Sequence, residues 1–265
     1  MHTLLSQITL HSTLKIQRKC TLSVQPLAYY MLGLIQSDAS IWLHKGQINI
    51  VIKSTKRELI DLFIQTFEKY LDKMYVVETE ETSPLGIKSR QTKVLGYVRK
   101  HSPQRHLFEF LLKYKDELPP FEDEEQLIAF LAGLFDGDGS IVIAKKRKRH
   151  SDYFAILIRW HSINRAKLID ILNEIHRFGY SASVIRNGIS GSMKQKYAIF
   201  MHQRDKASLI KFIEKLLKYV RHRKRKARLE IALEVLKIIA QQSVKKPDVQ
   251  RKLSELWKKY RNIKT

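Results

Sequence analysis

Cysteine, long apolar runs and acidic residues are all scarce in this sequence, and each scarcity excludes a class of protein. Cys20 is the only cysteine among 265 residues, so neither an internal disulfide nor a cysteine-based zinc site can form. No apolar run reaches the about 18 residues that a membrane-spanning helix needs, and the segment from Met1 to Gln7 lacks the features of a signal peptide. We therefore expect an intracellular protein, cytoplasmic or nucleoid-associated, with no membrane partner.

Acidic residues are heavily outnumbered: 26 Asp and Glu stand against 49 Lys and Arg, a formal net charge of +23. Unpaired charges are costly to bury, so most of this excess must lie on the surface. Such a surface favours a polyanionic partner, and nucleic acid is the first candidate. A basic protein from a thermophile or a ribosomal environment is the alternative. The hydrophobic fraction of 44% is enough for an ordinary globular core.

The sequence repeats itself. The segment Met31–Ile41 aligns with Leu131–Ile141 at an offset of 100 residues (138 − 38). Two further matches follow in the same order, namely Lys53-Ser54 with His161-Ser162 and Leu111–Tyr114 with Leu216–Tyr219. Ordered matches of this kind indicate a duplicated unit.

Each copy has the same order of predicted elements. A helix ends at the Gly-Leu-x-x-x-Asp segment, and two strands, an amphipathic helix, two more strands and a closing helix follow. The predicted strands are Ser40–His44, Gln47–Lys53, Met74–Glu78 and Lys93–Arg99, then Gly139–Ala144, Tyr153–Trp160, Ala182–Arg186 and Tyr197–His202. This order predicts an α+β fold of two pseudo-symmetric αββαββα repeats, each an antiparallel sheet with helices over one face.

Pro119-Pro120 separates the two copies, because proline interrupts regular structure. We predict an N-terminal extension over 1–22, a first repeat over 23–119, a second repeat over 120–240 and a C-terminal helix within 241–265.

The segment Leu131-Ala132-Gly133-Leu134-Phe135-Asp136-Gly137-Asp138-Gly139 resembles the signature of the LAGLIDADG homing endonucleases, and the first copy is a degenerate version of it. The resemblance covers roughly Ser23 to Ala240 and is closest to single-chain, two-motif members, which suggests an intron-encoded and archaeal type. It implies paired motif helices between the repeats and saddle-shaped sheets that bind DNA. It also implies acids that bind divalent metal beneath the minor groove, where both strands are cut.

The residues of the motif make physical sense without the family name. Gly33 and Gly133 allow two helices to approach closely. Asp38 and Asp138 are expected at helix C-terminal ends, where the helix dipole disfavours a carboxylate by about 0.3–1 kcal/mol. Bound Mg²⁺ would relieve that strain and the repulsion between the acids. The alternative is that both are turn residues.

A calcium-binding loop that starts at Asp136 is a further alternative, and the sequence excludes it. Ile141 stands where the loop requires glycine, and Arg147 stands where it requires glutamate.

The resemblance also implies a set of site residues. Asp38 and Asp138 would bind Mg²⁺ or Mn²⁺, with Ca²⁺ binding without turnover. Ser37, Ala39 and Gly137 would lie beside the metal. Basic or polar groups would complete the site at Lys53, at His161 and at one of Arg223, Lys224 and Arg225, of which we take Lys224. A solvated basic face, and a structural role for His161, are the alternatives.

Alternating strands can present side chains to the major groove. The predicted DNA contacts are His44, Gln47, Asn49, Arg90, Lys93, Tyr97, Arg99, Lys145, Lys146, Arg147, Arg149, Arg159, Arg186, Lys194 and Lys196. We expect a monomer on double-stranded DNA, with a partly asymmetric site of about 15–20 base pairs.

Three functions remain open at this stage. The first is a site-specific DNA endonuclease that uses metal. The second is an RNA maturase of the same fold, with intron RNA as its partner, and the third is a DNA-binding regulator without catalysis. Two facing carboxylates favour the endonuclease, because a pure binder has no need of them.

The net charge leads to a first prediction. If about 6–10 phosphates are contacted, DNA affinity should fall by about 10³–10⁵ between about 50 and 200 mM salt, through counterion release. Fluorescence anisotropy across that salt range measures the slope, and a flat response would contradict the prediction.

Overall fold

The structure is a computed structural model, and it describes residues 25–82, 88–148, 151–189, 195–201, 203, 205–242 and 246–263. The predicted N-terminal extension and the predicted DNA contacts Arg149 and Lys194 lie outside these residues. None of the described helices is both long and apolar enough to cross a bilayer.

The first repeat has the predicted order of elements. They are α1 (Pro26–Asp38), β1 (Ala39–His44), β2 (Gln47–Ser54), α2 (Arg57–Phe67), β3 (Lys73–Thr82), β4 (Lys88–Val98) and α3 (Arg105–Lys113), with a 3₁₀ turn at Glu68–Tyr70. The tight β1–β2 turn uses Lys45 and Gly46, both at positive φ. Proline at the start of α1 suits a helix N-terminus, where its missing N–H has no partner to lose.

The second repeat has the same order and is longer. Its elements are α4 (Glu124–Asp138), β5 (Gly139–Lys148), β6 (Ser151–Ser162), α5 (Arg165–Arg177), β7 (Ala182–Ile189), β8 (Gln195–Met201) and α6 (Lys206–Tyr219), followed by α7 (Arg223–Gln241) and α8 (Pro247–Asn262). The side chain of Asp123 accepts a hydrogen bond of 2.8 Å from the backbone N–H of Gln126 and so caps α4.

The two sheets have the same topology, which confirms the predicted fold class. The strand orders are β1-β2-β4-β3 and β5-β6-β8-β7, with all neighbours antiparallel. Ala39 pairs with Ile52, and Gly139 pairs with Trp160. Lys53 follows Ile52 and His161 follows Trp160, so Lys53 and His161 occupy equivalent positions in the two repeats.

Several strands are longer than predicted. β3 continues to Thr82, and β4 begins at Lys88. These extensions are rich in Glu, Lys, Arg and Thr, so they lack the apolar alternation that marks a half-buried strand. Cross-strand pairing such as that of Glu80 with Arg90 extends the hairpin beyond the core.

Helices α1 and α4 pack against each other at the centre of the molecule. Met31, Leu32 and Leu34 are fully buried, and in α4 so are Leu131 and Phe135. These helices are apolar on all sides, because each packs against its partner helix and against the rest of its repeat. The core is therefore continuous through both repeats.

Gly33 and Gly133 set the distance between these two helices. A Cβ atom on Gly33 would overlap the carbonyl oxygen of Phe130 and lie 2.8 Å from the nitrogen of Leu134. A Cβ atom on Gly133 would overlap the carbonyl oxygen of Tyr30. The obstacles are backbone atoms, which cannot move aside as a flexible side chain can.

Helix α8 covers β5, the edge strand of the second sheet. The indole N–H of Trp257 donates to the carbonyl of Ile143 (3.2 Å), and the hydroxyl of Tyr260 donates to the carbonyl of Ile141 (2.6 Å). Exposed edge carbonyls invite pairing with other strands. The C-terminal helix therefore satisfies and protects this edge.

Alanine at Gly133 should lower the free energy of unfolding by about 3 kcal/mol or more, because overpacking against backbone cannot relax. Chemical denaturation measures this loss. Gly188→Ala is the matched control: nothing surrounds that Cβ, so only the positive φ costs free energy, about 1–2 kcal/mol. Similar losses at the two positions would contradict the account of the helix contact.

Candidate active site

The C-terminal ends of α1 and α4 meet. A Cβ atom on Gly137 would overlap the Ser37 hydroxyl and the Asp38 carboxylate oxygen Oδ2, so the end of α4 lies directly against Asp38. Asp38 and Asp138 line the same cleft, which has a volume of about 630 Å³. The two acids that the repeat singled out are therefore neighbours.

Both acids are held in surroundings that disfavour their charge. Burial, together with the negative charge of Asp38, raises the pKa of Asp138 to about 6. Burial also raises the pKa of Asp38, whereas Arg225, the adjacent Ser37 hydroxyl and Lys56 act in the opposite direction. The nearby positive charges compensate only part of the desolvation.

The carboxylates fit a divalent cation. Oδ2 of Asp38 is buried and accepts no hydrogen bond, which is an unfavourable state for a carboxylate oxygen. Mg²⁺ commonly takes one or two carboxylates and completes its shell with water and phosphate oxygens. Among the described residues no group of three or more His, Cys, Asp and Glu side chains converges. Two acids with an orphaned oxygen match the Mg²⁺ pattern.

Arg225 lies beside the acids. Its guanidinium donates to the carbonyl of Phe135, near the end of α4. Burial lowers the pKa of Arg225, and Asp136, Asp38 and Asp138 raise it. Lys224 also lines the cleft, but its ammonium pairs with Glu58 at 2.8 Å. Of the three basic residues 223–225, the structure brings Arg225 rather than Lys224 closest to the acids.

Asp136 positions the helix that carries Arg225. Its Oδ2 accepts hydrogen bonds from the hydroxyl of Tyr30 (2.7 Å) and from the backbone N–H groups of Arg221 (2.7 Å) and His222 (3.1 Å). The carboxyl is fully buried, and burial raises its pKa to about 6. Asp136 is therefore a structural acid that fixes the start of α7.

Gln36 occupies the position of Asp136 in the first repeat, and it donates hydrogen bonds where Asp136 accepts them. Its side-chain amide donates to the carbonyls of Tyr114 (2.6 Å) and Glu117 (2.8 Å), after α3. Asp136 accepts from N–H groups, whereas Gln36 donates to carbonyls. Glutamine at position 36, where the second repeat has aspartate, therefore matches the carbonyl groups to which it is bonded.

Asp138 also lines a second cavity, which has a volume of about 290 Å³. His161, Lys167 and Lys196 line this cavity as well. Nδ1 of His161 accepts from the amide of Asn187 (2.9 Å), so Nε2 carries the proton and donates to the Ser140 hydroxyl (3.0 Å). Burial, followed by Arg159 and Lys196, lowers the pKa of His161, so the ring is neutral at pH 7.

Of the remaining predicted site residues, Ala39 and Ser37 lie at the end of α1, whereas Lys53 is not among the residues that line either cavity. Ala39 ends α1, and its backbone N–H bonds the carbonyl of Ile35. Ser37 donates to the carbonyl of Leu34 (3.0 Å). Lys53 is exposed on the sheet, opposite Lys93. Lys56, which sequence reasoning missed, lines the cleft, and nothing in its local sequence distinguishes it from other surface lysines.

Comparison with known proteins agrees with this geometry. Residues 125–217 match a family described as LAGLIDADG-like domain. The structure of the homing endonuclease I-WcaI bound to its DNA recognition sequence is similar, with a TM-score of 0.53 and 15% identity over 82% of this chain and 91% of that one. This chain has the two-repeat LAGLIDADG fold.

A second solved structure has the same LAGLIDADG fold. It is the I-SmaMI homing endonuclease bound to cleaved DNA, with a TM-score of 0.54 and 11% identity over 89% of this chain and 96% of that one. No curated protein sequence gives a significant match.

Each LAGLIDADG sheet has one face packed on the core and one turned away, here named the outer face. Successive residues of a strand point to opposite faces. The buried residues Ile48, Ile50 and Ile52 therefore place Asn49 and Lys53 on the outer face of the first sheet. In the second sheet the buried residues Ile158 and Trp160 place Arg159 and His161 there. The predicted contacts His44, Gln47, Asn49, Lys93, Tyr97, Arg159 and Lys196 lie there by register. Arg99 follows directly after β4.

The register moves three predicted DNA contacts off the outer face. Arg90 shares the face of Val94 and pairs with Glu80 (3.5 Å). Arg186 shares the face of Val184. The end of the β3–β4 hairpin carries no apolar residues, so the sequence around Arg90 did not indicate which residues share a face.

Lys145 is the third predicted DNA contact that lies off the outer face. Its ammonium lies 5.7 Å from the ring centroid of Trp257 in α8 and donates to Ser254 (3.3 Å). The backbones of Lys146 and Arg147 belong to β5, and their side chains lie outside the described residues.

Replacing Asp138 with Asn should stabilise the metal-free protein at pH 7.5. The pKa of Asp138 is about 6 in the folded state, whereas its ordinary value is 3.8. Between these two pH values the folded chain binds more protons than the unfolded chain, so the folded state loses stability as the pH rises through this range. Melting curves in EDTA at pH 7.5 and pH 4 measure the difference, which should vanish at the lower pH. Asp170→Asn, at an exposed acid of α5, is the control. A variant less stable than wild type at pH 7.5 would contradict the account.

Proposed function

We propose that this chain is a site-specific double-strand DNA endonuclease that requires a divalent metal, Mg²⁺ or Mn²⁺. The observation that carries the proposal is the pair Asp38 and Asp138, brought together at the ends of two buried helices with one carboxylate oxygen left without a partner. Such an arrangement is unfavourable for stability. A role in chemistry explains why the fold keeps it.

Three further observations favour double-stranded DNA as the substrate. The net charge is +23, and basic side chains lie on the outer faces on both sides of the acids. Each sheet can place a two-stranded ribbon in a major groove. The similar solved structures are homing endonucleases in complex with DNA. The minor groove between two such ribbons would lie over Asp38 and Asp138.

In the mechanism that we propose, Asp38 and Asp138 hold the cation. The cation would lower the pKa of the attacking water and neutralise charge on the phosphate. The water oxygen would bond to phosphorus and release one proton to solvent, while the bond to the 3′ oxygen breaks and that oxygen takes up one proton. A 5′ phosphate and a 3′ hydroxyl remain. Arg225 is held by the Phe135 carbonyl and would stabilise negative charge on the phosphate oxygens.

The surroundings of the two scissile phosphates would differ. The cleft that both acids line also contains Lys56, Arg57, Lys224 and Arg225. The second cavity, which Asp138 also lines, has Lys167 and Lys196, and a histidine whose two ring nitrogens are already hydrogen-bonded. A guanidinium fixed near the acids favours faster reaction on the side of the cleft that contains Arg225.

The acids can be tested directly. Asp38→Asn and Asp138→Asn should each reduce double-strand cleavage by about 10³-fold or more, because the metal site is lost, while DNA binding in Ca²⁺ stays within about threefold. The DNA comes from a randomised library selected with wild type in Mg²⁺. Asp170→Asn should cut normally. Full cleavage by either variant would remove that acid from the mechanism.

Arg225→Ala should slow cleavage by about 10²–10³-fold, as expected for loss of one fixed charge-stabilising donor. The effect should be unequal on the two strands, measured with each strand labelled at its 5′ end. Lys224→Ala, next to it and paired with Glu58, should change the rates by less than about tenfold. Equal slowing of the strands would contradict the proposed asymmetry.

A further inference from the structure

A cluster of apolar side chains lies on the outer face of the first sheet. We call it the apolar patch, and its members are Trp42, Val51, Tyr75, Val77, Leu95 and Tyr97. Val51, Leu95 and Tyr75 are directly opposite one another across three strands. The rings of Tyr75 and Tyr97 are 6.4 Å apart.

The patch is open to solvent. Trp42 is 37% exposed, Tyr75 is 47% exposed and Val77 is 49% exposed. Contiguous exposed apolar surface on a monomer marks a contact with another molecule more often than isolated exposed residues do. The first repeat therefore presents apolar groups where a DNA-binding sheet usually presents polar ones.

Lysines border the patch. Lys53 and Lys93 are opposite each other across β2 and β4, Val77 is opposite Lys93, and Lys73 is opposite Tyr97. A partner that fits must therefore combine negative charge with small apolar groups. DNA meets both requirements, because phosphates flank a major groove in which the C5 methyl of thymine is the one apolar group on a base edge.

The outer face of the second sheet also carries apolar groups, namely Val142, Leu157, Ile185 and Phe200. Its middle row nevertheless differs from that of the first sheet, because Arg159 and Ser183 flank Phe200 where Val51 and Tyr75 flank Leu95. An arginine on a strand reads guanine through hydrogen bonds. The two halves of the protein therefore differ in this row.

We propose that the first repeat reads its half-site through thymine methyl groups that contact the apolar patch, whereas the second repeat adds hydrogen bonds from Arg159 in the equivalent row. This inference rests on the proposed function. It assigns specificity to Tyr75, Val77 and Trp42, which lie away from the acids and need not affect the chemical step.

Deoxyuridine substitution tests the inference. A target is selected from a randomised double-stranded library with the full chain, and all thymines of one half are then replaced by deoxyuridine, which lacks only the methyl group. In one half, binding in Ca²⁺ should weaken about fourfold for each contacted methyl, which corresponds to about 0.8 kcal/mol. In the other half the loss of affinity should be smaller, because Arg159 and Ser183 stand where the first sheet has Val51 and Tyr75.

Variants identify the half that the patch reads. In the double variant Tyr75→Ser, Val77→Thr the deoxyuridine penalty should disappear from that half, and affinity for non-target DNA, which reports folding, should be unchanged. Tyr153→Ser, at a tyrosine 44% exposed on the second sheet, is the matched control and should keep the penalty.

The outcomes separate the inference from the proposed function. If no DNA sequence is selected or cut, the proposed function fails. If a target is cut but deoxyuridine weakens neither half, or if the penalty persists in the double variant, the inference is overturned. In that case the patch contacts something other than thymine.

Discussion

The structure depends on one contact, the approach of α1 and α4 at Gly33 and Gly133. Backbone carbonyls occupy the space that a side chain would need on either residue. The helices are therefore as close as backbones allow, and their separation cannot drift with side-chain repacking. This fixes where both helices end, and it brings Gly137 against Asp38. The fold thus places two acids from distant parts of the sequence in one cleft.

That placement is electrostatically unfavourable, and the surroundings only partly correct it. Both carboxylates lie at negative helix ends, and both line the same cleft. Arg225 and Lys56 lower the pKa of both, yet the pKa of Asp138 remains about 6. Asp136, two residues away, has three hydrogen-bond donors and stabilises the structure. A bound cation and a phosphate would relieve the charge at Asp38 and Asp138, whereas Asp136, whose pKa burial also raises to about 6, depends on its three donors.

Much of this arrangement could be predicted from the sequence. The duplication, the strand order and the position of Asp38 and Asp138 at helix ends follow from apolar periodicity and from one repeated motif. The boundaries of the repeats, 23–119 and 120–240, remain predictions.

Long-range contacts account for what the sequence could not predict. Arg225 rather than Lys224 lies beside the acids because Asp136 holds the start of α7 from 85 residues away. Trp257 and Tyr260 cover an edge strand more than 100 residues earlier. The apolar patch joins one or two residues from each of four strands, and no one strand shows it as a pattern.

The most direct test of the account is the position of the metal. Crystals of the chain with its selected DNA, grown with Mn²⁺, would give an anomalous difference map at the end of α1 and α4. The account predicts a peak in contact with carboxylate oxygens of both Asp38 and Asp138. A map with no peak there, or with manganese bound only elsewhere, would contradict it.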